Sequence, residues 1–278
     1  MRRLTSLAIL ALIGCGPEDP APRNDAGMTP LIDAGVTLDT GAPADTGRPV
    51  TDTGVVPDSG AAPADAGTAE DTGSTPIDAG PGVDTPDPQS AEDIATVRNA
   101  EPGPVDVPIS QVMVTTVRPE IGRDAAGFFI QATRQGPALF VAHDPAPAGL
   151  QAGSIISLRV TDCSDSFGQR IVTGITGLEV LGRGDATALI QDVAQADDLV
   201  SNLDGYEAEL LSAQITIVGA MEFAGNSFVA ATVDTEVLFG SDLRFRIPDA
   251  LQEQINLAPG CVLNFVGPMW RYRDTAQL

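Results

Sequence analysis

The sequence predicts a mainly β protein: two tandem small five-stranded barrels behind a disordered acidic linker. Three observations predict it. Every Phe, Tyr and Trp lies beyond residue 90, so only residues 91–278 can build cores of ordinary density. Those residues break into runs rich in Val, Ile, Thr and Phe, separated by Gly, Pro and Asp, which is the pattern of short strands and tight turns. The runs of residues 91–184 also recur, in the same order, in residues 185–278, as an internal duplication would leave them.

Ahead of the barrels, Arg2 and Arg3 precede an apolar run over residues 4–13. Ten residues are half of the ~20 a spanning helix needs, so residues 1–14 read as a signal peptide and not as a membrane anchor. The run ends in Leu12-Ile13-Gly14-Cys15, which resembles the bacterial lipobox. That resemblance implies a diacylglyceryl thioether on Cys15 and a further N-acyl chain, a combination that anchors stably where a single chain would not. Gly16 follows the cysteine in place of the Asp that retains many lipoproteins at the inner membrane. The expectation is a cell-envelope protein held by lipid at the outer membrane or cell surface, with the membrane itself as its first partner.

Residues 15–90 form the second zone. Residues 17–90 are built from Asp, Thr, Ala, Gly and Pro, with 14 acids against two arginines, and such a segment cannot offset its chain entropy by burial. The tripeptide Asp-x-Gly occurs nine times there, from Asp25 to Asp78, at spacings of six to eight residues. Four copies read Asp-Thr-Gly, the tripeptide of aspartic proteases, but that chemistry needs two carboxylates about 3 Å apart in a rigid cleft, and no strand-forming sequence flanks any copy. Calcium is equally excluded, because Ca²⁺ takes about 6–8 oxygens and one Asp per six to eight residues is too sparse. An acidic stalk remains, with a reach between about 45–50 Å as a coil and roughly 230 Å if extended.

Within the first copy, strands are expected at residues 105–117, 127–133, 138–142, 154–161 and 169–181, with a break at Asp144-Pro145-Ala146-Pro147. The duplication aligns Leu150–Leu158 with Leu257–Phe265 at an offset of 107. It aligns Val114-Thr115-Thr116-Val117 with Ile215-Thr216-Ile217-Val218, Phe129-Ile130 with Phe228-Val229, and Leu139-Phe140 with Arg244-Phe245. Residues 192–202 read as a helix leading into the second copy. At that alignment the second copy stops near the position of Ile171, so it holds almost none of the closing strand. Either its edge is open or another segment pairs there.

Gly127-Phe128-Phe129-Ile130-Gln131, Leu150-Gln151-Ala152-Gly153, Phe167-Gly168-Gln169 and Tyr206-Glu207-Ala208-Glu209-Leu210 together resemble the tandem OB-fold modules of exported bacterial nucleases and cell-surface lipoproteins. The resemblance implies OB-like barrels and a binding role, since such barrels take oligonucleotides or oligosaccharides on their middle strands and loops. It concerns accessory modules and implies no nuclease catalytic segment.

Charge opposes a nucleic-acid ligand: residues 91–278 carry 24 acids against 11 arginines and no lysine, whereas phosphate binding needs a basic surface. The local exception is Arg244, Arg246, Trp270, Arg271, Tyr272 and Arg273, the candidate ligand surface. Strand alternation would place Trp270 and Tyr272 on one face and Arg271 and Arg273 on the other. The single His143 lies beside Asp144 with no nucleophile or ligand set around it, and no spacing calls for a metal or a cofactor. The sequence therefore reads as a non-enzymatic binding or envelope-interaction module with an unidentified protein or glycan partner. The alternative is an extracellular nucleic-acid- or oligosaccharide-binding protein, accessory to a hydrolase. With Cys15 consumed by lipid and export to an oxidising compartment, Cys163 and Cys261 are expected to form a disulfide between the barrels.

Overall fold

The computed structural model describes the backbone of Ala11–Cys15 and all of residues 83–278. The Asp-x-Gly tract and the Cys15 side chain lie outside the described residues, and with them the expectations of a disordered stalk and of lipidation. All the described residues fall in one compact unit. Among them no helix is long and apolar enough to cross a membrane.

The elements run in order β1 (Ala11–Cys15), α1 (Gln89–Asn99), β2 (Gly103–Arg118), β3 (Gly127–Gln131), β4 (Ala138–Val141), β5 (Ser154–Ser166) and β6 (Gln169–Arg183). The chain continues through β7 (Gln191–Asp192), α2 (Leu203–Tyr206), β8 (Leu210–Ile217), β9 (Glu222–Phe223), β10 (Phe228–Asp234), β11 (Arg244–Pro248), α3 (Asp249–Ile255), β12 (Cys261–Pro268), β13 (Trp270–Tyr272) and β14 (Thr275–Gln277). The fold is mainly β and OB-like. Strands β2–β6 close a five-stranded barrel in the order β2-β3-β4-β6-β5, with β4 and β6 parallel through Phe140 and Ile171. The second copy is not a closed barrel but a curled sheet in the order β1-β12-β8-β10-β11-β14-β13.

Residues 83–90, which composition assigns to the linker, belong to the fold. Val83 bridges Gly182, and Asp87 accepts from the Gln89 N–H at 2.9 Å to start α1. Pro88 sits at the helix entry, Glu92 in the first turn and Arg98 in the last, all three favourable for the helix dipole and its open N–H groups. Ser90, Ile94 and Val97 face inward at helical spacing, and Ile94 and Val97 close one end of the barrel core with Ile109, Leu139 and Val160.

The helix expected over residues 192–202 does not form. Asp192 accepts from the Ala194 N–H at 3.0 Å, and the Asp198 carboxylate takes Asn202 at 3.0 Å and the Tyr206 hydroxyl at 2.6 Å. These side chains offer the backbone local partners that compete with a helical ladder, so the segment folds as turns and the helix shrinks to α2.

The ladders also re-register the duplication. Met113 lies opposite Ile155 and Thr216 opposite Val262, while Ile130 lies opposite Val114 and Val233 opposite Ile217. With Ile155 matched to Val262, Val114 therefore answers to Ile217 and Ile130 to Val233. The sequence alignment slips two residues in one strand and four in the other. Even slips keep inward residues inward, which is why hydrophobic pattern alone tolerated them.

The expected missing strand is supplied from elsewhere. On β5, β6 pairs Glu179, Val180, Gly182 and Arg183 with Ser157, Ile156, Ile155 and Ser154, skipping Leu181 as a bulge. On the matching stretch of β12, β1 pairs Ala11, Leu12, Gly14 and Cys15 with Asn264, Leu263, Val262 and Cys261, skipping Ile13. Direction, register and bulge coincide, and a glycine follows the bulge in both. The other end of the closing strand is β14, whose Gln277 pairs parallel with Arg244 as Ile171 does with Phe140.

The Cys163–Cys261 disulfide is a correction. Cys163 is a buried free thiol in the core of the barrel, with its Sγ 3.7 Å from the Glu101 carbonyl and 3.8 Å from Arg170 Nη1. Cys261 faces the separate core of the half-barrel. Cys163 is a free thiol, and strand alternation turns each cysteine side chain into its own core, so the two point into different interiors and no bridge joins Cys163 to Cys261.

Candidate functional site

The seam between barrel and half-barrel is built from the outer face of β3 and β4. Phe129, Phe140, Ala138 and Ile171 are buried there together with Ala208, and Trp270 from β13 packs against them. Trp270 meets Phe129 edge-on at 5.9 Å and Phe140 at 5.1 Å, the quadrupole-favoured arrangement. Polar bonds tie the same seam. Buried Gln131 accepts from the Leu210 N–H at 2.9 Å, buried Gln169 from the Arg271 N–H at 3.1 Å, and Asp124 from Asn226 Nδ2 at 2.8 Å. Gly122 is required beside that last contact, because at φ +60° an added Cβ would fall 2.7 Å from the Asn226 carbonyl oxygen.

Beside Trp270 the two units leave a mostly apolar pocket of about 130 Å³, well above the ~10–15 Å³ that one water needs. Phe228, Phe245, Ile247, Leu251 and Phe265 supply its half-barrel walls, and Phe129 and Ile121 its barrel side. Two guanidinium groups enter this apolar setting. Arg118, at the end of β2, lies 4.5 Å from the Phe140 ring centre and 4.8 Å from that of Trp270. Its Nη2 donates to the Ala125 carbonyl at 2.8 Å, and its Nε is buried with no partner among the described residues. Arg246, on β11, stands 3.7 Å over Phe228 and 3.6 Å from Asp124 Oδ2.

Burial pushes the Arg118 pKa down to about 10, with Arg246 adding to the fall and Asp124 opposing it. Burial lowers Arg246 as well, again against Asp124. Both arginines remain charged at neutral pH. Among the described residues Asp124 is the one carboxylate within 4.0 Å of either, so two cations share one counter-charge.

The structure divides the candidate ligand surface. Arg246 and Trp270 line the pocket. Arg271 instead pairs with Asp204 and lies 3.6 Å from buried Glu207. Tyr272 and Arg273 are exposed at the hairpin tip, where Tyr272 stacks 4.8 Å from Phe167 on the matching hairpin of the barrel. Arg244 lies in the β11–β14 pairing. Trp270 and Tyr272 thus lie two residues apart on β13 yet part company, Trp270 packed in the seam and Tyr272 exposed where the strand runs out into the β13–β14 turn. Arg118, Phe228 and Asp124 were missed by sequence reading; Arg118 is the last residue of β2, one past the strand expected over residues 105–117, and Asp124 sits in a loop, where periodicity carries no information. His143 is exposed on the loop after β4, and Asp144 shapes that loop by accepting from the Ala146 N–H at 3.0 Å.

A second polar cluster lies on the seam. Glu207 is buried and accepts from the Arg170 N–H at 2.9 Å, with Arg98 and Arg271 nearby; burial still raises its pKa. Glu209 is buried more simply, and its carboxyl is pushed up to about 8 by burial against only a weak pull from Arg98. The Gln191 amide, oriented to donate, stands 3.0 Å from Glu209 Oε2. These groups are structural ties across the seam and face no pocket wall described above.

No family model and no curated protein matches the chain. Among solved structures it is similar to the p204 HINb domain at 15% identity and a TM-score of 0.33, covering 64% of this chain and 94% of that one. It is similar also to the tetrameric p202 HIN2 at 12% identity and a TM-score of 0.35, covering 60% of this chain and 84% of that one.

Proposed function

We propose that this protein is a lipid-anchored, surface-displayed binding module without catalytic activity, which presents the pocket between its barrel and half-barrel to a ligand. The observation that carries the reading is the juxtaposition of Arg118, Arg246 and Trp270 at the rim of an apolar cavity: apolar walls with a few convergent polar groups are the usual make-up of a ligand site. Three observations argue against a nucleic-acid strand as the ligand. The pocket is compact and not a groove, Arg271 is neutralised by acids, and the net charge over residues 91–278 is −13.

Anchoring follows from the sequence before Gly16. Transfer of lipid to Cys15 and cleavage ahead of it would leave the acidic tract as the tether and would detach residues 11–14 from β12. The direct test is labelling with radioactive palmitate in the parent and in Cys15→Ser. Label in the parent and none in the variant is expected; equal label in both overturns the anchor. Retention of the folded part on intact cells, read by protease shaving, is the expected companion result.

A further inference from the structure

From the charge arrangement of the pocket, and resting on its reading as a ligand site, we infer that its ligand class is an amphipathic monoanion: a short acyl chain or aryl ring bearing one carboxylate. Three features converge on it. The walls are aromatic and aliphatic, so the body of the ligand is apolar. Arg118 and Arg246 enter from the two units, and among the described residues Asp124 is the one side-chain carboxylate within 4.0 Å of either guanidinium, so one guanidinium is left without an ion-pair partner. In a chain of net charge −23, a partly desolvated cation without a full counter-charge is costly unless something anionic completes it. The buried Arg118 Nε, with no partner among the described residues, supplies an unused donor.

The volume sets the size. About 130 Å³ beside an open rim suits a chain of a few carbons with its carboxylate at the guanidinium groups, and it is too small for a folded partner. A cationic or neutral head would leave the second guanidinium uncompensated. Planar, bidentate pairing with a carboxylate is the interaction that guanidinium makes best.

Trp270 is the protein's single tryptophan and packs between the pocket and the seam, so its fluorescence reports occupancy directly. The experiment titrates the full chain, produced without lipidation, with octanoate, 1-octanol and 1-octylamine in parallel. Saturable change with octanoate, at least about tenfold tighter than with octanol and absent with octylamine, is expected. Arg246→Gln should weaken octanoate about tenfold or more while leaving octanol unchanged. Asp124→Asn should tighten octanoate several-fold, because it removes the competing carboxylate; simple structural damage would weaken it instead. Equal binding of octanoate and octanol would overturn the anionic class and leave the pocket reading standing. No response to any of the three probes would overturn both.

Discussion

The barrel is closed by β6, fifteen residues that follow β5 through a hairpin at Phe167-Gly168, whereas the half-barrel is closed in two short pieces drawn from opposite ends of the sequence. Strand β14 stands for the first part of β6 and β1 for the last, and the stretch matching residues 173–178 has no counterpart among the described residues. The difference teaches what a duplicated fold can lose. A continuous strand makes the barrel a self-sufficient unit, with its core plugged by Ile94 and Val97 from α1. The half-barrel compensates by packing Trp270 on its neighbour and by borrowing a strand from more than two hundred residues away. The ligand pocket lies beside the incomplete side, where Phe245 of the inner face and Arg246 of the outer face both reach it.

The comparison breaks most visibly in the closing strand itself. Val172 is fully buried in the barrel core, so Val172→Asp should cost more than ~4 kcal/mol and unfold the barrel, seen as loss of strand signal in far-UV circular dichroism and a collapsed urea midpoint. A variant that keeps its midpoint would mean that β6 is not what holds the barrel shut.

A smaller effect, about 2–4 kcal/mol, is expected where the units meet. Glu209 has a folded pKa of about 8 against an ordinary 4.5, so the folded state holds a proton that the unfolded chain has released. That contribution is complete below pH ~4.5, is lost progressively as pH rises towards ~8, and changes no further above it. Glu209→Gln should abolish this slope and make the protein more stable than the parent at pH 8.5, with little difference at pH 4.5. Parallel melting curves for parent and variant across that window would remove Glu209 from the account of the seam.

Removing residues 1–14 should be milder still, because it takes away three of the four pairs of one edge ladder and leaves Cys15 in place. A fall of ~1–2 kcal/mol, or roughly 2–8 °C, is expected. Amide exchange should speed up within Cys261–Asn264 and stay unchanged at the matching Ser154–Ser157, which β6 still covers. Unchanged protection on β12 would sink the claim that β1 closes it.

The smallest signal concerns Cys163, which is 1% exposed. It should resist alkylation in the native protein and react stoichiometrically once denatured, with no reducing agent needed to liberate it. Rapid native labelling would place it outside the core.

By itself the sequence determined the strands of the barrel to within a few residues, the duplication, and two members of the pocket, Arg246 and Trp270. Those features are written in local periodicity, turn chemistry and the rarity of aromatics, which are properties of neighbouring residues. It misplaced what depends on competition between local and distant partners: the Asp198-centred turns in place of a helix, α1 ahead of the barrel, and the register of the second copy. Tertiary structure alone decided that β1 takes the place of the last turn of closing strand, that Cys163 and Cys261 face different cores, and that Arg118 and Arg246 converge on one cavity. Each of those joins residues far apart in the chain through ladders and packing, and a pattern of period two or 3.6 fixes which way a side chain faces but not what it will meet there.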